Sequence, residues 1–309
     1  MQLRVLVLIQ LLLIIGCVPA KNNQQLNDEN QSEVIYGTNS IKKIQLEKYS
    51  KMPAMKNNIL ASVALVDEGN LIDKRNYFQL LSETANEKYQ LCKGSLFAQE
   101  QTISFCSGVL IRPNLILTAA HCLNNGINHC ENTRFVFNLR EDNLNRQQIE
   151  KNNVFNCKKV IYIGKENNGV KNDFALVQLD RAAQVEPVKM SKDHIYKNKQ
   201  SIYTIGYPIG TAQKYASGDL RIQLEQDVPL MNLDVFFGNS GGPIFDQQNN
   251  QLSGLLSAGE EDFIESKNGC YQPKKCQNGK CLGERLIPLT KIHEVLELFY
   301  SLKNKELYF

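Results

Sequence analysis

Short apolar runs separated by turn residues recur from residue 59 to residue 257, and this pattern constrains the fold more than any other feature of the chain. The runs are rich in Val, Ile, Phe and Leu, and Gly, Pro, Asn and Asp stand between them. Many short strands joined by turns are typical of a sandwich or a pair of barrels, so we expect an all-β fold. The predicted strands span residues 62–66, 107–111, 115–118, 135–139, 160–163, 174–179, 201–206, 220–224, 244–245 and 252–257.

Two stretches depart from the strand pattern and predict helices. Near the C-terminus, Ile292, Val295, Leu296 and Phe299 fall on one face at helical spacing, which predicts a C-terminal α-helix over residues 290–303. Residues 70–90 carry scattered apolar residues at mixed spacing, and we interpret them as a second helix. Residues 265–283 are rich in Lys, Asn and Gly and hold three cysteines, a composition typical of a disulfide-stapled loop.

The composition excludes two broad classes of protein. The chain has 309 residues, of which 42% are apolar and 22% charged, so it is not wholly disordered and can form one large domain or two small ones. Its formal net charge is +3, whereas nucleic-acid-binding proteins usually carry a strongly basic face, so we expect no nucleic-acid partner. Its nine cysteines favour an oxidising compartment outside the cytosol.

The N-terminus has the pattern of an export signal. Arg4 precedes an apolar run over residues 5–15, which is too short for a membrane-spanning helix and suits a signal peptide. Gly16-Cys17 resembles a lipobox, in which residues 1–16 are removed and Cys17 is lipidated, while cleavage after Ala20 is the alternative. We therefore expect a bacterial envelope lipoprotein or a secreted protein, with Cys17 as its one contact with a membrane.

Residues 17–58 are expected to form a tether, in which residues 33–58 are interpreted as either a pro-segment or a strap lying on the domain. Residues 21–32 hold seven Asn or Gln and no aromatic side chain, so they have nothing to bury. Either route of signal processing removes Cys17 from the pool of pairing thiols. Eight cysteines then remain, an even number, as a disulfide framework requires.

Three short segments carry candidate catalytic groups. His121 follows one apolar strand, and Asp173 opens another. Ser240 stands among glycines in residues 238–243, where positive φ angles allow a tight turn and let backbone N–H groups face a small cavity. A nucleophilic serine needs a neutral imidazole to take its proton and a carboxylate to orient that imidazole. The three residues supply these roles in the chain order His, Asp, Ser.

The motifs around these residues resemble those of trypsin-like serine peptidases, which have the chymotrypsin fold. They are TAAHC at 118–122, NDFALVQL at 172–179, GYP at 206–208 and GNSGGP at 238–243. The resemblance covers residues 33–300, and four motifs in the right order are specific. True trypsins carry, just before the catalytic Ser, an Asp that pairs with a newly freed N-terminus. Asn239 stands there in this chain, which is closer to bacterial glutamyl-endopeptidase-like and HtrA-like enzymes.

The resemblance implies two antiparallel six-stranded β-barrels with the active site in the cleft between them. Within a peptidase domain over residues 59–300, we expect the first barrel over residues 59–185 and the second over residues 195–288. The gap of 67 residues between Asp173 and Ser240 is short for a trypsin and implies a compact second barrel. The spacing of Cys106 and Cys122 matches that of the disulfide that braces the catalytic His in this family.

The implied activity is cleavage of peptide bonds through an acyl-enzyme on Ser240. His121 is the expected proton acceptor and donor, and Asp173 is expected to orient it. The backbone N–H groups of Gly238 and Ser240 are the expected oxyanion donors. The resemblance implies protein or peptide substrates, no cofactor and no metal.

Two further segments bear on how a substrate binds. Ser257 to Gly259 resembles the strand that pairs with the substrate backbone. Asp234 lies six residues before Ser240, where trypsins place the carboxylate that selects Lys or Arg, so it is either that determinant or a structural residue. Phe236 stands where trypsins have a cysteine that frames the pocket, and Phe236 and Phe237 are candidates to line or block it.

Other interpretations compete with a serine peptidase. A catalytically inactive homologue that binds a protein partner is the main alternative, and reaction with an organophosphonate serine probe separates the two. Residues 238–242 also match the G-x-S-x-G motif of α/β-hydrolases, with Asp262 and His293 following in that order, but this motif must open a helix and Pro243 does not suit one.

Metal binding and disulfide pairing are the remaining questions about the cysteines. His121-Cys122 and His129-Cys130 are similar to a metal cluster, but oxidised cysteines cannot be thiolate ligands. We expect His129, His194 and His293 to be surface or loop residues. One suggested disulfide is Cys130–Cys157, within one barrel. The pairing stays open for Cys92, Cys130, Cys157, Cys270, Cys276 and Cys281.

Overall fold

The computed structural model describes residues 35–123, 130–164, 166–167, 170–192, 195–222, 229–259, 261–276 and 281–306. In the first half of the chain the strands are β1 (Ile35–Tyr36), β2 (Lys42–Lys43), β3 (Ser62–Asp67), β4 (Leu71–Asp73), β5 (Tyr77–Leu80), β6 (Glu83–Thr84), β7 (Gln101–Thr102), β8 (Ser104–Arg112), β9 (Leu115–Thr118), β10 (Thr133–Phe137), β11 (Gln148–Glu150) and β12 (Val154–Ile163). The later strands are β13 (Glu166–Asn167), β14 (Val170–Lys171), β15 (Ala175–Leu179), β16 (Ser201–Gly206), β17 (Lys214–Arg221), β18 (Leu230–Leu233), β19 (Pro243–Asp246), β20 (Leu252–Leu256), β21 (Phe263–Glu265), β22 (Tyr271–Pro273), β23 (Lys275–Cys276) and β24 (Glu284–Pro288). The α-helices are α1 (Pro53–Ala61), α2 (Ala85–Tyr89), α3 (Glu141–Arg146) and α4 (Leu289–Glu306).

Two closed six-stranded barrels form the body of the molecule, which confirms the expected all-β architecture. The first has the strand order β10-β12-β15-β9-β8-β3, and β3 returns to pair with β10. The second has the order β16-β19-β20-β24-β18-β17, and β17 closes it by pairing with β16. Every pairing within the two barrels is antiparallel. Closure leaves no unpaired edge within either barrel.

The barrel strands are almost continuously apolar because both of their faces are covered. In β9 and β15, all residues but Gln178 are buried. One face of such a strand fills its own barrel, and the other packs against neighbouring elements. A single apolar cluster includes Leu117 and Leu176 of the first barrel with Phe245 and Leu255 of the second, so the two barrels share a core. Each such buried side chain contributes about 1.5–3 kcal/mol.

Residues 35–49 form an N-terminal strap across the second barrel. Strand β1 pairs in parallel with β23, and β2 pairs with the start of β17, ahead of the residues of β17 that pair with β18. Helix α1 follows the strap and buries Met55 and Ile59 in the shared core. Regular structure is thus present from Ile35, ahead of the first predicted strand at residue 62.

The helix expected over residues 70–90 is wrong. This segment forms strands β4, β5 and β6, and only α2 is helical. Strand β5 pairs with β4 on one side and with the distant β11 on the other. Pairing with a segment about 70 residues away outweighs the weak local preference, and α2 begins only where Thr84 and Glu87 form a capping box.

The predicted C-terminal helix is confirmed as α4. Its side chains Leu289, Ile292 and Leu296 are buried in the shared core, on the face that the helical spacing predicted. Across the described ranges, no helix combines the length and the apolar character that crossing a bilayer requires.

Candidate active site

Neighbouring strands of the first barrel bring His121 and Asp173 together. Strand β9 ends just before His121 and β15 begins just after Asp173, and Thr118 pairs with Ala175 between these strands. Nδ1 of His121 lies 2.7 Å from Oδ2 of Asp173, and the backbone N–H of His121 donates to Oδ1 at 3.0 Å. Because a carboxylate only accepts hydrogen bonds, Nδ1 carries the ring proton and Nε2 is the basic nitrogen of the neutral imidazole.

A third hydrogen bond to Asp173 comes from the second barrel. Ser257 follows β20, and its hydroxyl donates to Oδ2 of Asp173 at 2.7 Å. Burial by itself would raise the pKa of Asp173, but the hydrogen bonds from His121 and Ser257, with the charge of His121, hold that pKa below its ordinary value. Asp173 is therefore ionised at neutral pH, the state in which it stabilises a protonated imidazole. The sequence pointed to Ser257 as a substrate-binding residue and missed this contact.

Ser240 lies in the loop between β18 and β19, pressed against the end of β9. Gly241 has a φ of +78°, and a Cβ there would lie 2.5 Å from the backbone nitrogen of Ala119. Glycine is thus required for the loop to approach the first barrel this closely. The backbone N–H of Ser107 in β8 donates to the carbonyl of Ser240 at 2.9 Å, which ties the loop to that barrel.

The structure gathers the three candidate catalytic residues around Ser257. Oγ of Ser240 lies 3.5 Å from the carbonyl oxygen of Ser257, whose hydroxyl holds Asp173. Ser240 is only 3% exposed. Nε2 of His121 is buried and has no hydrogen-bond partner in the described part of the chain. The site thus holds an imidazole nitrogen without a partner and a buried serine hydroxyl, and both residues are linked to Asp173, directly for His121 and through Ser257 for Ser240.

The backbone before Ser240 presents two N–H groups. Ile209, in the turn after the GYP motif, donates its N–H to the carbonyl of Phe237 at 2.6 Å. The C=O and N–H of a trans peptide point in opposite directions, so the N–H of Gly238 points away from Ile209. Neither this N–H nor that of Ser240 has an acceptor among the residues described. Two unengaged donors on one tight loop can stabilise an oxygen that gains negative charge.

Asn239 is held inside this loop. Its side chain is 3% exposed, and Nδ2 donates to the carbonyl of Phe236 at 3.1 Å. Gly206 of the GYP motif leaves room for it, because a Cβ at that position would clash with the Asn239 side-chain oxygen. Ser107 completes the support: its hydroxyl donates to the carbonyl of Gly238 at 2.7 Å and accepts the N–H of Tyr207 at 3.1 Å. No sequence motif marks Ser107, whose partners lie about 100 residues or more away.

Asp234 contacts the N-terminal strap. Its two carboxylate oxygens accept the backbone N–H groups of Tyr36 and Ser40, each at 2.6 Å. The residue is 3% exposed, and burial raises the pKa of its carboxyl despite these hydrogen bonds. Both carboxylate oxygens of Asp234 thus already have hydrogen-bond donors within the strap. Gly259, the other end of the expected substrate strand, is half-buried two residues after Ser257.

The structure joins all eight described cysteines in four disulfides. Cys106 pairs with Cys122, next to His121, and the other pairs are Cys92–Cys270, Cys130–Cys157 and Cys276–Cys281. One potential metal-binding group arises, since the sulfurs of Cys106 and Cys122 and a ring nitrogen of His121 lie within 4.8 Å of one another. Those two sulfurs are bonded to each other and are not thiolate ligands.

Several expected residues fall elsewhere. His293 in α4 contacts the carbonyl of Ser191 through Nε2 at 2.7 Å, which is a structural role. Cys17, His129 and His194 lie outside the described residues.

Comparison with known proteins agrees with this geometry. Residues 106–255 match the family model of the trypsin-like peptidase domain. The fold is similar to that of a Glu endopeptidase solved in complex with MPD, with a TM-score of 0.51 and 17% identity over 86% of this chain and 100% of the other. It is also similar to the VesB protease of Vibrio cholerae, with a TM-score of 0.52 and 15% identity over 83% of this chain and 66% of VesB. None of the curated proteins shows significant sequence similarity to this chain.

The family match covers the segments that hold His121, Asp173 and Ser240, and the two barrels supply the chymotrypsin-type fold. Residues 106–255 are therefore similar to a trypsin-like peptidase domain.

Proposed function

We propose that this protein is a serine endopeptidase that hydrolyses peptide bonds through an acyl-enzyme on Ser240. The observation that carries the proposal is the state of His121. Its Nδ1 is held by Asp173 at 2.7 Å, and its Nε2 is buried without a partner. An imidazole held in this tautomer is a base ready to accept the proton of a serine hydroxyl.

The proposed reaction assigns a step to each of these groups. Oγ of Ser240 attacks the carbonyl carbon of the substrate while Nε2 of His121 takes the hydroxyl proton. The carbonyl oxygen becomes negative and accepts the N–H groups of Gly238 and Ser240. His121 then gives its proton to the leaving amine, and the peptide bond breaks. A water molecule attacks the acyl-enzyme by the same route and releases Ser240.

The substrate backbone is proposed to pair with the segment that follows β20. Ser257 and Gly259 are the two ends of this segment. The carbonyl oxygen of Ser257 lies near Oγ of Ser240, and its hydroxyl donates to Asp173. Preference for Lys or Arg would rest on Asp234. Because both oxygens of Asp234 already accept N–H groups from the strap, we favour a structural role for this residue.

Export is proposed from the signal pattern and the disulfides. Residues 1–16 have the signal composition, and four disulfides form most readily in an oxidising compartment. Lipidation at Cys17 is tested by expressing the full chain in a bacterium fed a labelled fatty acid. Label on the wild type but not on Cys17→Ala supports an anchor. Label on neither, with an N-terminus at Lys21, supports ordinary cleavage after Ala20.

Activity is tested with residues 21–309 produced under oxidising conditions, beside the Ser240→Ala variant. Both are incubated with a complex peptide mixture, and new termini are identified by mass spectrometry. Both are also treated with a fluorophosphonate probe, which labels an activated serine. We expect cleavage and labelling by the wild type alone.

The alternative function predicts a different result. An inactive homologue that binds a protein partner would neither cleave nor label. Before that conclusion is drawn, the same assays are run on a chain that starts at Val34, which removes a pro-segment. Absence of both activities from this shorter chain would overturn the proposal.

A further inference from the structure

The peptide planes around Phe237 are fixed from both sides. Phe237 donates its N–H to Oδ2 of Asp262 at 2.8 Å and accepts the N–H of Ile209 through its carbonyl at 2.6 Å. The first contact fixes the peptide plane before the Cα of Phe237, and the second fixes the plane after it. Since these planes define φ and ψ of Phe237, both contacts together determine where the N–H of Gly238 points.

The plane before Phe237 is also held at its other end. The carbonyl of Phe236 accepts the backbone N–H of Asn239 at 2.9 Å and the side-chain Nδ2 of Asn239 at 3.1 Å. The peptide group between Phe236 and Phe237 is therefore held at both ends: Asn239 binds its carbonyl oxygen, and Asp262 binds its N–H. Asp262 is the one side-chain acceptor among these hydrogen bonds, and it comes from a segment 25 residues later in the chain.

Asp262 is kept in this position in spite of a large desolvation cost. It is 5% exposed, and Oδ1 has no partner among the residues described. Burial raises the pKa of its carboxyl well above the usual range; the Phe237 N–H acts against the shift, while the charges of Glu284 and Glu261 add to it. A buried carboxyl with so little compensation is expected where its hydrogen bond has a specific use.

The same segment braces the neighbouring rings. Phe263, next to Asp262, packs against Phe236 with ring centroids 5.4 Å apart and against Phe237 at 6.1 Å. Tyr89 of α2 meets Phe237 edge-on at 4.7 Å. The side chains of Phe236 and Phe237 are therefore already packed. The freedom that remains to their backbone is rotation of the peptide planes, and the carboxyl of Asp262 restricts that rotation.

We infer that Asp262 is a positioning residue for the oxyanion hole: by accepting the N–H of Phe237, it holds the N–H of Gly238 in the orientation that stabilises the negative oxygen. This inference rests on the proposed function of the same site. It assigns Asp262 no proton transfer and no contact with the substrate.

The test uses the rate of reaction with a fluorophosphonate, whose phosphoryl oxygen occupies the oxyanion hole. Saturation kinetics separate the maximal rate, kinact, from the concentration dependence, KI. Asp262→Leu replaces the carboxyl acceptor by an apolar side chain branched at Cγ, and we expect kinact to fall about 10- to 100-fold while KI changes little. Asp262→Asn retains an oxygen acceptor, and we expect it to restore kinact to within about threefold of the wild type.

Asp246 provides a matched control. It is a buried carboxylate of the second barrel, 6% exposed, and it accepts the backbone N–H of Gln248 at 2.7 Å in a turn. Asp246→Leu is expected to lower the thermal midpoint and to leave kinact of the folded protein unchanged. If Asp262→Leu does not fold, the Asn variant is compared with Asp262→Ser, whose shorter side chain cannot reach the N–H of Phe237.

The outcomes separate this inference from the proposed function. A wild type that does not label overturns both. A wild type that labels, together with an Asp262→Leu or Asp262→Ser variant of equal kinact, overturns the role of Asp262 alone. So does a loss confined to KI, a loss matched by Asp246→Leu, or an Asn variant as slow as the Leu variant.

Discussion

At the scale of single residues, Asp173 shows how a site and the stability of the fold are linked. It accepts hydrogen bonds from the backbone and ring of His121 and from the hydroxyl of Ser257. Burial opposes its ionisation, and these donors reverse that effect, so its pKa is lower in the folded protein than in the unfolded chain. A carboxyl of this kind stabilises the fold above its unfolded pKa, and that contribution is lost as the pH falls through its folded pKa.

Asp173→Asn should therefore remove one acid-dependent component of stability. We expect the difference in thermal midpoint between wild type and variant to be greatest near neutral pH and to shrink below about pH 4. Ser257→Ala removes one donor to Asp173, so the acid unfolding transition of this variant should lie at a higher pH than that of the wild type. Circular dichroism melts between pH 7 and pH 2 measure both effects.

Turnover of Asp173→Asn should fall by about 10⁴-fold, and a variant with undiminished turnover would remove Asp173 from the catalytic group.

Asp234 allows its two proposed roles to be separated. An amide has one oxygen, so Asp234→Asn cannot accept the N–H groups of both Tyr36 and Ser40. We expect a loss of about 1–3 kcal/mol in the free energy of unfolding and faster proteolysis of the strap. The residues before the cleavage sites should stay the same. A switch away from Lys and Arg at unchanged stability would instead make Asp234 the specificity determinant.

At the scale of elements, strand prediction succeeds where a run is apolar on both faces. Strands β9 and β16 have the predicted bounds, because every residue in them is buried except Ser201 at the start of β16. Strands β18 and β24 were missed. Glu284 opens β24 and is fully buried, and one of its partners is the hydroxyl of Tyr36, 248 residues earlier. A local pattern cannot reveal that a charged residue will have such a partner.

The turn at Gly206 packs directly against the side chain of Asn239 in the loop that carries Ser240. Gly206→Ala places a Cβ against the side-chain oxygen of Asn239, which is itself buried. We expect a loss of fluorophosphonate labelling by at least about tenfold, because the loop carries both unengaged N–H groups. The matched control is a double-mutant cycle with Asn239→Ala. If the clash is the cause, the second substitution restores part of the labelling, whereas additive losses contradict it.

At the scale of the whole molecule, Ser107 joins the barrels. It lies on β8, and its hydroxyl bridges the carbonyl of Gly238 and the N–H of Tyr207 in the second half of the chain. Ser107→Ala leaves both buried backbone groups without this partner. We expect a loss of about 1–3 kcal/mol in the free energy of unfolding, accompanied by slower labelling.

Ser104 is a control on the same strand. It is also buried, but its hydroxyl has no partner among the residues that the structure covers. Ser104→Ala should leave the thermal midpoint and the labelling rate nearly unchanged. Equal effects of the two substitutions would mean that the loss at Ser107 reflects a cavity and not the bridge.

The long-range contacts mark the limit of prediction from sequence. His121, Asp173 and Ser240 stand in recognisable motifs, so the sequence alone predicts them as a catalytic group. Ser107, Asp262 and the hydroxyl of Ser257 act on residues 131, 25 and 84 positions away. No motif marks Ser107 or Asp262 for these contacts, and the sequence pointed to Ser257 only as a substrate-binding residue. The contacts of Ser107 and Ser257 arise when the two barrels meet, and that of Asp262 joins two separate segments of the second half of the chain.

The hydrogen bond between Ser257 and Asp173 has a consequence for the biogenesis of the protein. Its donor belongs to the second barrel and its acceptor to the first, and the strand β20 before Ser257 is held in its barrel by β24, near the end of the chain. A polypeptide still being synthesised, or threaded unfolded through a membrane, has no such contact. On the proposed function, the producing cell is therefore spared from hydrolysis until the chain has been delivered as far as β24 and has folded.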